Sequence, residues 1–333
     1  MEETVIKIIV CDDVDGAFQK SGELSRLETS AQVAIHSQVA SNHDELLERL
    51  KGATVAVAIR DRTVLDRQIL ASLPQLRLIA STGPHRIDIR AATELGIVVA
   101  GAPGTSTASV AEHVFGMILA LARRIPRSDH ALRERRWETS AGIELEGKTL
   151  GILGLGRTGS AVARRAPAFG LRVIAWGPTL SPERAAASGA RMVSEEELFH
   201  ASDILSIHLR RSDLSKGFVN AERLAWMKPT AFLIDISWEG IVDHHAVAAA
   251  LRDGKLAGAA LDLCGTDPVE MNDPILDAPN TVLTPHVAWQ TVESYKRSAR
   301  LVTDNILAYL NGSPTNVVNS DALKTPRQSS RVP

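Results

Sequence analysis

Short apolar runs rich in β-branched residues alternate with helical patterns along almost the whole chain, and such alternation leaves few folds open. Residues 6–10 (IKIIV), 54–59 (TVAVAI), 76–81 (LRLIAS) and 97–100 (IVVA) read as strands. Helical stretches separate them, such as HDELLERLKG from His43, apolar at helical spacing and stopped by a glycine. Strands apolar on both faces and joined through helices imply parallel sheets covered on both sides. The stretch SVAEHVFGMILALARRI from Ser109 predicts a long helix, apolar on more than one face and so buried between layers. A second alternating series follows it: TLGILGL, RVIAWG, DILSIHL, AFLIDIS, LAGAALDLC and TVLTPHV.

Six strands make a complete doubly wound sheet, which the first four would widen implausibly. The reading is therefore an α/β chain of two Rossmann-like domains, each with a doubly wound parallel sheet. A length of 333 residues suits two cores better than one. The helical stretch 292–310, ended by Asn311-Gly312, is expected to return to the first domain. That domain is then discontinuous, 1–101 with 288–318, around a second domain of 102–287. The polar segment 319–333, rich in Pro and Ser, is expected to be a flexible tail.

Composition narrows the partners. A formal net charge of -2 gives no electrostatic case for nucleic acid or an anionic membrane surface. The basic cluster Arg133, Arg135 and Arg136 sits among acids and reads as a solvated helix face. Cys11 and Cys264 are far apart without metal-ligand spacing, so they read as free thiols in a reducing compartment. Neither a metal site nor a membrane span is expected. The start MEETVIKIIV carries acids where a signal peptide carries positive charge, so the cytoplasm is the expected location.

Gly154-Leu155-Gly156-Arg157-Thr158-Gly159 follows the strand TLGIL and opens a helix. In that context the first glycine permits a tight turn, the second lets backbone approach a pyrophosphate, and the third lets helix pack on strand. Unpaired amides at the helix start then face the phosphates, so a dinucleotide is the expected ligand. The acid that binds an adenine ribose should end the next strand, RVIAWG, but that position is Gly177. Beyond it, Ser181 and Pro182 look like a helix start, and Arg184 could accept a phosphate. Both NAD and NADP stay open.

With that turn placed, the remaining motifs fall into order. They are STGPHRID from Ser81, GAPGTSTASVAEH from Gly101, LALARRIP from Leu119, GKTLGILGLGRTG from Gly147, NAERLAWMKP from Asn220, GIVD from Gly240, AGAALDL from Ala257 and LTPH from Leu283. Over residues 50 to 312 the chain resembles the D-isomer-specific 2-hydroxyacid dehydrogenases, which include glyoxylate/hydroxypyruvate reductases and phosphoglycerate dehydrogenases. The resemblance implies two domains with an active site in the cleft, a homodimer, and hydride transfer between nicotinamide and a small 2-oxo or 2-hydroxy acid. His286 of LTPH matches the family's acid/base, work suited to a group that titrates near neutrality. Asp267 falls on the carboxylate that orients it, one methylene shorter than the family's Glu. Asp262 matches the residue that accepts from the carboxamide, and Leu209 and Ser237 lie in the matching cofactor-side segments. Thr82 and Gly83 match the loop whose amides hold the substrate carboxylate, and Arg60 matches a residue facing the substrate in some members. Trp137 lies in the segment associated with dimerisation.

One stretch departs from the pattern. LIDISWEGIVD puts Trp238 where the family motif carries the arginine that binds the carboxylate and polarises the oxo group, and Glu239 where it carries glycine. An indole has one N–H donor and does not replace a guanidinium fork. Losing one such anchor should cost about 2–5 kcal/mol of transition-state binding. Arg210 or Arg211, in IHLRRSD, could bring a replacement charge near the nicotinamide. The favoured reading is a NAD(P)-dependent oxidoreductase with an altered substrate range. Two others stand beside it: a nucleotide-binding homologue with little or no turnover, and a non-redox acid/base enzyme using His286. A corepressor-like use of the fold has no motif in its favour.

Overall fold

The computed structural model describes residues 5–60, 62–83, 86–263 and 270–327. Cys264 and the expected orienting carboxylate, Asp267, lie outside the described residues. The chain divides into two compact units, Met1–Ser106 with Thr291–Pro333, and Thr107–Gln290.

The first unit holds five strands, β1 (Lys7–Val10), β2 (Gln32–Ile35), β3 (Val55–Ala58), β4 (Leu78–Ser81) and β5 (Val98–Gly101). They form one parallel sheet in the order β2-β1-β3-β4-β5. Every residue of β3, β4 and β5 is buried, as near-continuous apolar runs require. Strand β2 was not among the expected ones. Its QVAI alternates between exposed and half-buried positions at the sheet edge, so no apolar run announces it. Leu46, Leu50, Ile69 and Leu70 pack against one face of the sheet. The other face meets Val302 and Ile306 of the helix Val292–Leu310, whose span is the expected one. Thr291 caps that helix by accepting from the Ser294 amide at 3.1 Å.

The segment expected to be a flexible tail is tied down as far as Arg327. Asn319 is buried, with Oδ1 accepting from the Val99 amide at 2.8 Å and Nδ2 donating to the Ile97 carbonyl at 2.9 Å. The Arg327 amide donates to the Gly96 carbonyl at 3.1 Å. A polar composition read as loose is here the means by which the segment satisfies β5's edge.

The second unit holds β6 (Thr149–Leu153), β7 (Arg172–Trp176), β8 (Arg191–Met192), β9 (Ile204–Ile207), β10 (Phe232–Asp235), β11 (Gly258–Asp262) and β12 (Thr281–Thr284). The order is β12-β11-β10-β9-β6-β7-β8, all parallel. Six of these are the expected strands; β8, two residues long at the edge, gave no pattern to read. The helices Thr107–Ala122 and Arg157–Arg165 cover one face, with Val114, Ile118 and Val162 buried. Leu198, Leu224, Val247 and Leu251 cover the other. Strand order reverses beside β6, and in such sheets ligands bind outside the carboxyl ends at the reversal.

Candidate active site

All the described candidate residues of the second unit gather on that carboxyl edge. Gly154 follows β6, Gly177 follows β7, Leu209 and Arg210 follow β9, Ser237 and Trp238 follow β10, Asp262 ends β11, and His286 follows β12. Each sits at the end of a strand or in the loop that follows it, so the sheet positions its backbone.

The glycine turn fits a dinucleotide on steric grounds. Gly154 has φ +97°, and a methyl there would lie 2.9 Å from the His208 carbonyl, which closes the turn against β9. Gly159 would place a methyl 2.4 Å from the Gly154 carbonyl oxygen, so only glycine lets the helix start this close to the strand. Gly156 is different: nothing lies within 4 Å of its would-be Cβ, which leaves open room where a pyrophosphate approaches. Gly156 also stands as the residue before the helix Arg157–Arg165, with no side chain capping the first amides. Arg157 is exposed at the first helical position, and Thr158 is half-buried.

Across the turn, Gly177 would put a Cβ 3.6 Å from the Gly154 Cα. Arg184 is drawn toward the same turn: its guanidinium donates to the Thr179 carbonyl at 2.7 Å and the Leu155 carbonyl at 3.4 Å. Ser181 accepts from the Arg184 amide, as its expected cap role requires. Beneath the turn, the His208 ring bonds the Ser206 hydroxyl at 2.8 Å through Nε2. Its Nδ1 is sealed from solvent with no partner among the described residues, and burial pushes its pKa down to about 3.

Trp238 and His286 meet edge to face. Their ring centroids are 5.9 Å apart at an interplanar angle of 77°. His286 has φ 54°, in the left-handed region that costs a non-glycine residue about 1–2 kcal/mol. The loop is held there by Asp262, which accepts from the Val287 amide at 2.9 Å, the Ala288 amide at 2.8 Å and the Thr284 hydroxyl at 2.6 Å. Asp262 was expected to serve the cofactor; the structure adds that three of its acceptor sites already grip the His286 loop. Next to it, Asp235 is buried and accepts from the Ser237 amide at 2.8 Å and hydroxyl at 2.6 Å. Burial raises its carboxyl pKa, opposed by the Ser237 bonds and His244 and helped by Asp262.

In the first unit, Arg60 follows β3 with φ 61°, another non-glycine residue in the left-handed region, and its amide donates to the Thr82 hydroxyl at 2.8 Å. Thr82 and Gly83, whose amides are expected to hold a carboxylate, have those amides bonded within the unit here. Thr82 donates to the Ala58 carbonyl at 3.2 Å, and Gly83 to the Ser81 hydroxyl at 3.0 Å, so both donors are satisfied within the unit. Arg210 is exposed, and its carbonyl accepts from Ser215. Sequence reasoning missed His113, Thr284, Asp235 and His208. His113 and Thr284 lay inside quoted motifs, yet their pairing spans 171 residues and left no local signal.

A doubly wound sheet with a glycine turn at its reversal defines a dinucleotide-binding chain. The comparisons give the class a family. Residues 115–288 match the NAD binding domain of the D-isomer specific 2-hydroxyacid dehydrogenases. A glyoxylate reductase of Aeropyrum pernix is 38% identical over 295 residues, 85% of this chain and 88% of that protein. A D-3-phosphoglycerate dehydrogenase of Archaeoglobus fulgidus is 36% identical over 274 residues, 81% of this chain but 52% of that protein. The chain thus spans about half the length of that relative. Among solved structures, a Thermus thermophilus protein is similar with a TM-score of 0.84 and 33% identity, over 94% of this chain and 100% of that one. An acyclic imino acid reductase solved with NADPH and D-Arg has a TM-score of 0.83 and 27% identity, over 94% and 100%. The chain belongs to the D-isomer specific 2-hydroxyacid dehydrogenase family, and NAD(P) is the cofactor class of its site. Among the described residues, no helix is long and apolar enough to cross a membrane.

Proposed function

We propose that this chain is an oxidoreductase acting between a nicotinamide cofactor and a 2-oxo or 2-hydroxy acid, or a related carbonyl compound, with a substrate range altered at Trp238. The observation that carries the reading is the contact of Trp238 with His286 on the same sheet edge as the glycine turn. When bound, the nicotinamide supplies or accepts the hydride. His286 gives a proton to the substrate oxygen on reduction and takes it back on oxidation. Asp262 holds the loop that presents the imidazole, and Gly154, Gly156 and Gly159 admit the dinucleotide. Leu209 and Ser237 are assigned to the cofactor side, and Arg60 and Arg210 to the substrate, on the family pattern.

A second reading concerns the substrate alone. A small cavity beside Trp238 is lined by Asp235, Glu239 and Asp262. At about 10 Å³ it holds no more than one water, but a similar solved structure is an acyclic imino acid reductase, so a C=N substrate of the imino acid type belongs in the panel.

The chain is further proposed to work as a cytoplasmic homodimer. Trp137 is 86% exposed, and Ile125 and Leu132 a few residues earlier in the chain are exposed too, apolar residues suited to self-association. Oxidation of NADH and NADPH should be followed with a panel of 2-oxo acids, alone and with added ammonia or methylamine, alongside nucleotide binding by fluorescence. Turnover with any member supports the reading. Binding without turnover overturns it in favour of a nucleotide-binding homologue, and substrate loss without nucleotide oxidation favours non-redox chemistry at His286.

A further inference from the structure

His113 is a half-buried polar residue on a helix whose inward face is apolar. The helix Thr107–Ala122 presents Ala111, Val114, Phe115 and Ile118 to the core of the second unit. His113 instead reaches the carboxyl end of β12, where Nε2 lies 3.1 Å from the Thr284 hydroxyl and 4.0 Å from Asp262 Oδ1.

The directions of these bonds follow from counting hydrogens. Thr284 has one hydroxyl hydrogen, and its hydroxyl oxygen lies 2.6 Å from Asp262 Oδ1. That oxygen already accepts from the Val287 amide, and Oδ2 accepts from the Ala288 amide, so Asp262 acts as an acceptor throughout. Thr284 therefore donates to Asp262, and its oxygen accepts from His113. The imidazole must carry its hydrogen on Nε2. The result is one directed chain, His113 to Thr284 to Asp262, ending on the carboxylate that holds the two amides after His286. His286 sits between the two anchored ends of that loop, Thr284 and Val287, with φ 54°.

We propose that His113 is a positioning residue, which acts through Thr284 and Asp262 to hold the loop that presents His286. The proposal rests on His286 being the acid/base of the reading above. Without the His113 N–H, the Thr284 hydroxyl is free to turn, and Asp262 keeps its two amides with one fewer fixed contact. The loop then samples geometries in which the imidazole is misaimed, which lowers the chemical step and leaves substrate and nucleotide binding nearly unchanged.

The test uses His113→Leu, which removes the donor, and His113→Gln, whose Nε2 restores it. Thr284→Val removes the middle link. With an active substrate, His113→Leu should lower kcat about tenfold with KM changed less than about twofold, and His113→Gln should recover most of the loss. The double variant His113→Leu/Thr284→Val should be no worse than the poorer single, because both cut one chain. In nucleotide-free protein, the His286 ring Cε1–Hε1 NMR signal should be displaced or broadened in His113→Leu and return in His113→Gln. Equal kcat losses in the Leu and Gln variants, additive effects in the double variant, or an unmoved His286 signal each overturn the proposal. If no substrate turns over, the function reading fails but the NMR arm still decides the role of His113.

Discussion

The rings of Trp238 and His286 meet edge to face with their centroids 5.9 Å apart, so the indole packs against the candidate acid/base. An indole there adds an apolar wall and a single N–H donor. It supplies no fixed charge to hold a carboxylate.

Trp238→Arg should raise kcat/KM on glyoxylate or hydroxypyruvate by tens to thousands-fold, the reverse of the about 2–5 kcal/mol lost with a charge-assisted anchor. The measurement is steady-state nucleotide oxidation by wild type and variant. Unchanged activity, with nucleotide binding intact, would show that the position does not face the reacting group.

Two glycines of one turn should separate folding from binding. Gly159→Ala pushes a methyl to 2.4 Å from the Gly154 carbonyl oxygen and 3.1 Å from Ile152, so the helix must retreat. Stability should fall by about 1–3 kcal/mol, with nucleotide affinity falling too. Gly156→Ala meets nothing within 4 Å, so the fold should tolerate it while nucleotide affinity drops at least about tenfold. Denaturant melts and fluorescence titrations of both variants check the contrast, and a destabilised Gly156→Ala would contradict it.

Stability should decline in mild acid because of His208. Its folded pKa is about 3, below the unfolded value of about 6.5, so between these limits the unfolded chain binds more protons. The His208 contribution is therefore present in full above about pH 6.5 and is lost as pH falls toward 3, by at most about 1.4 kcal/mol per pH unit. His208→Gln keeps a partner for Ser206 and removes the titration, so its unfolding free energy should vary less between pH 6.5 and 4. Parallel slopes for variant and wild type would place the acid sensitivity elsewhere.

What could be read beforehand depended on whether the signal was local. The apolar runs of β3 and β10 and the capped helix Val292–Leu310 declare themselves within their own residues. The glycine turn does so too, because each glycine answers a steric demand made within the next few residues. Strand β2 is an edge strand with no apolar run, and the segment through Arg327 is anchored by Asn319, whose partners lie about 220 residues away. The His113–Thr284 pair and the left-handed backbone at Arg60 and His286 likewise belong to the assembled fold. Trp238 drew notice only through a register with the family motif, and its contact with His286 left no local signal.

Cofactor choice should turn on Gly177. In this fold a carboxylate at the end of the second strand binds the ribose hydroxyls and repels a 2′-phosphate. Glycine there does neither, and Arg184, fastened to the Thr179 and Leu155 carbonyls, adds a positive charge beside the turn. A side chain at Gly177 would begin 3.6 Å from Gly154 Cα, an ordinary contact, so Gly177→Asp should fold. The new carboxylate should weaken NADPH binding by about tenfold or more, about 1.4 kcal/mol, while NADH binding holds or improves. Because the repulsion is between partly exposed charges, the difference should shrink as ionic strength rises. Titration of both nucleotides at low and high salt measures it, and a variant that weakens both equally would mean that Gly177 serves the turn and not the ribose.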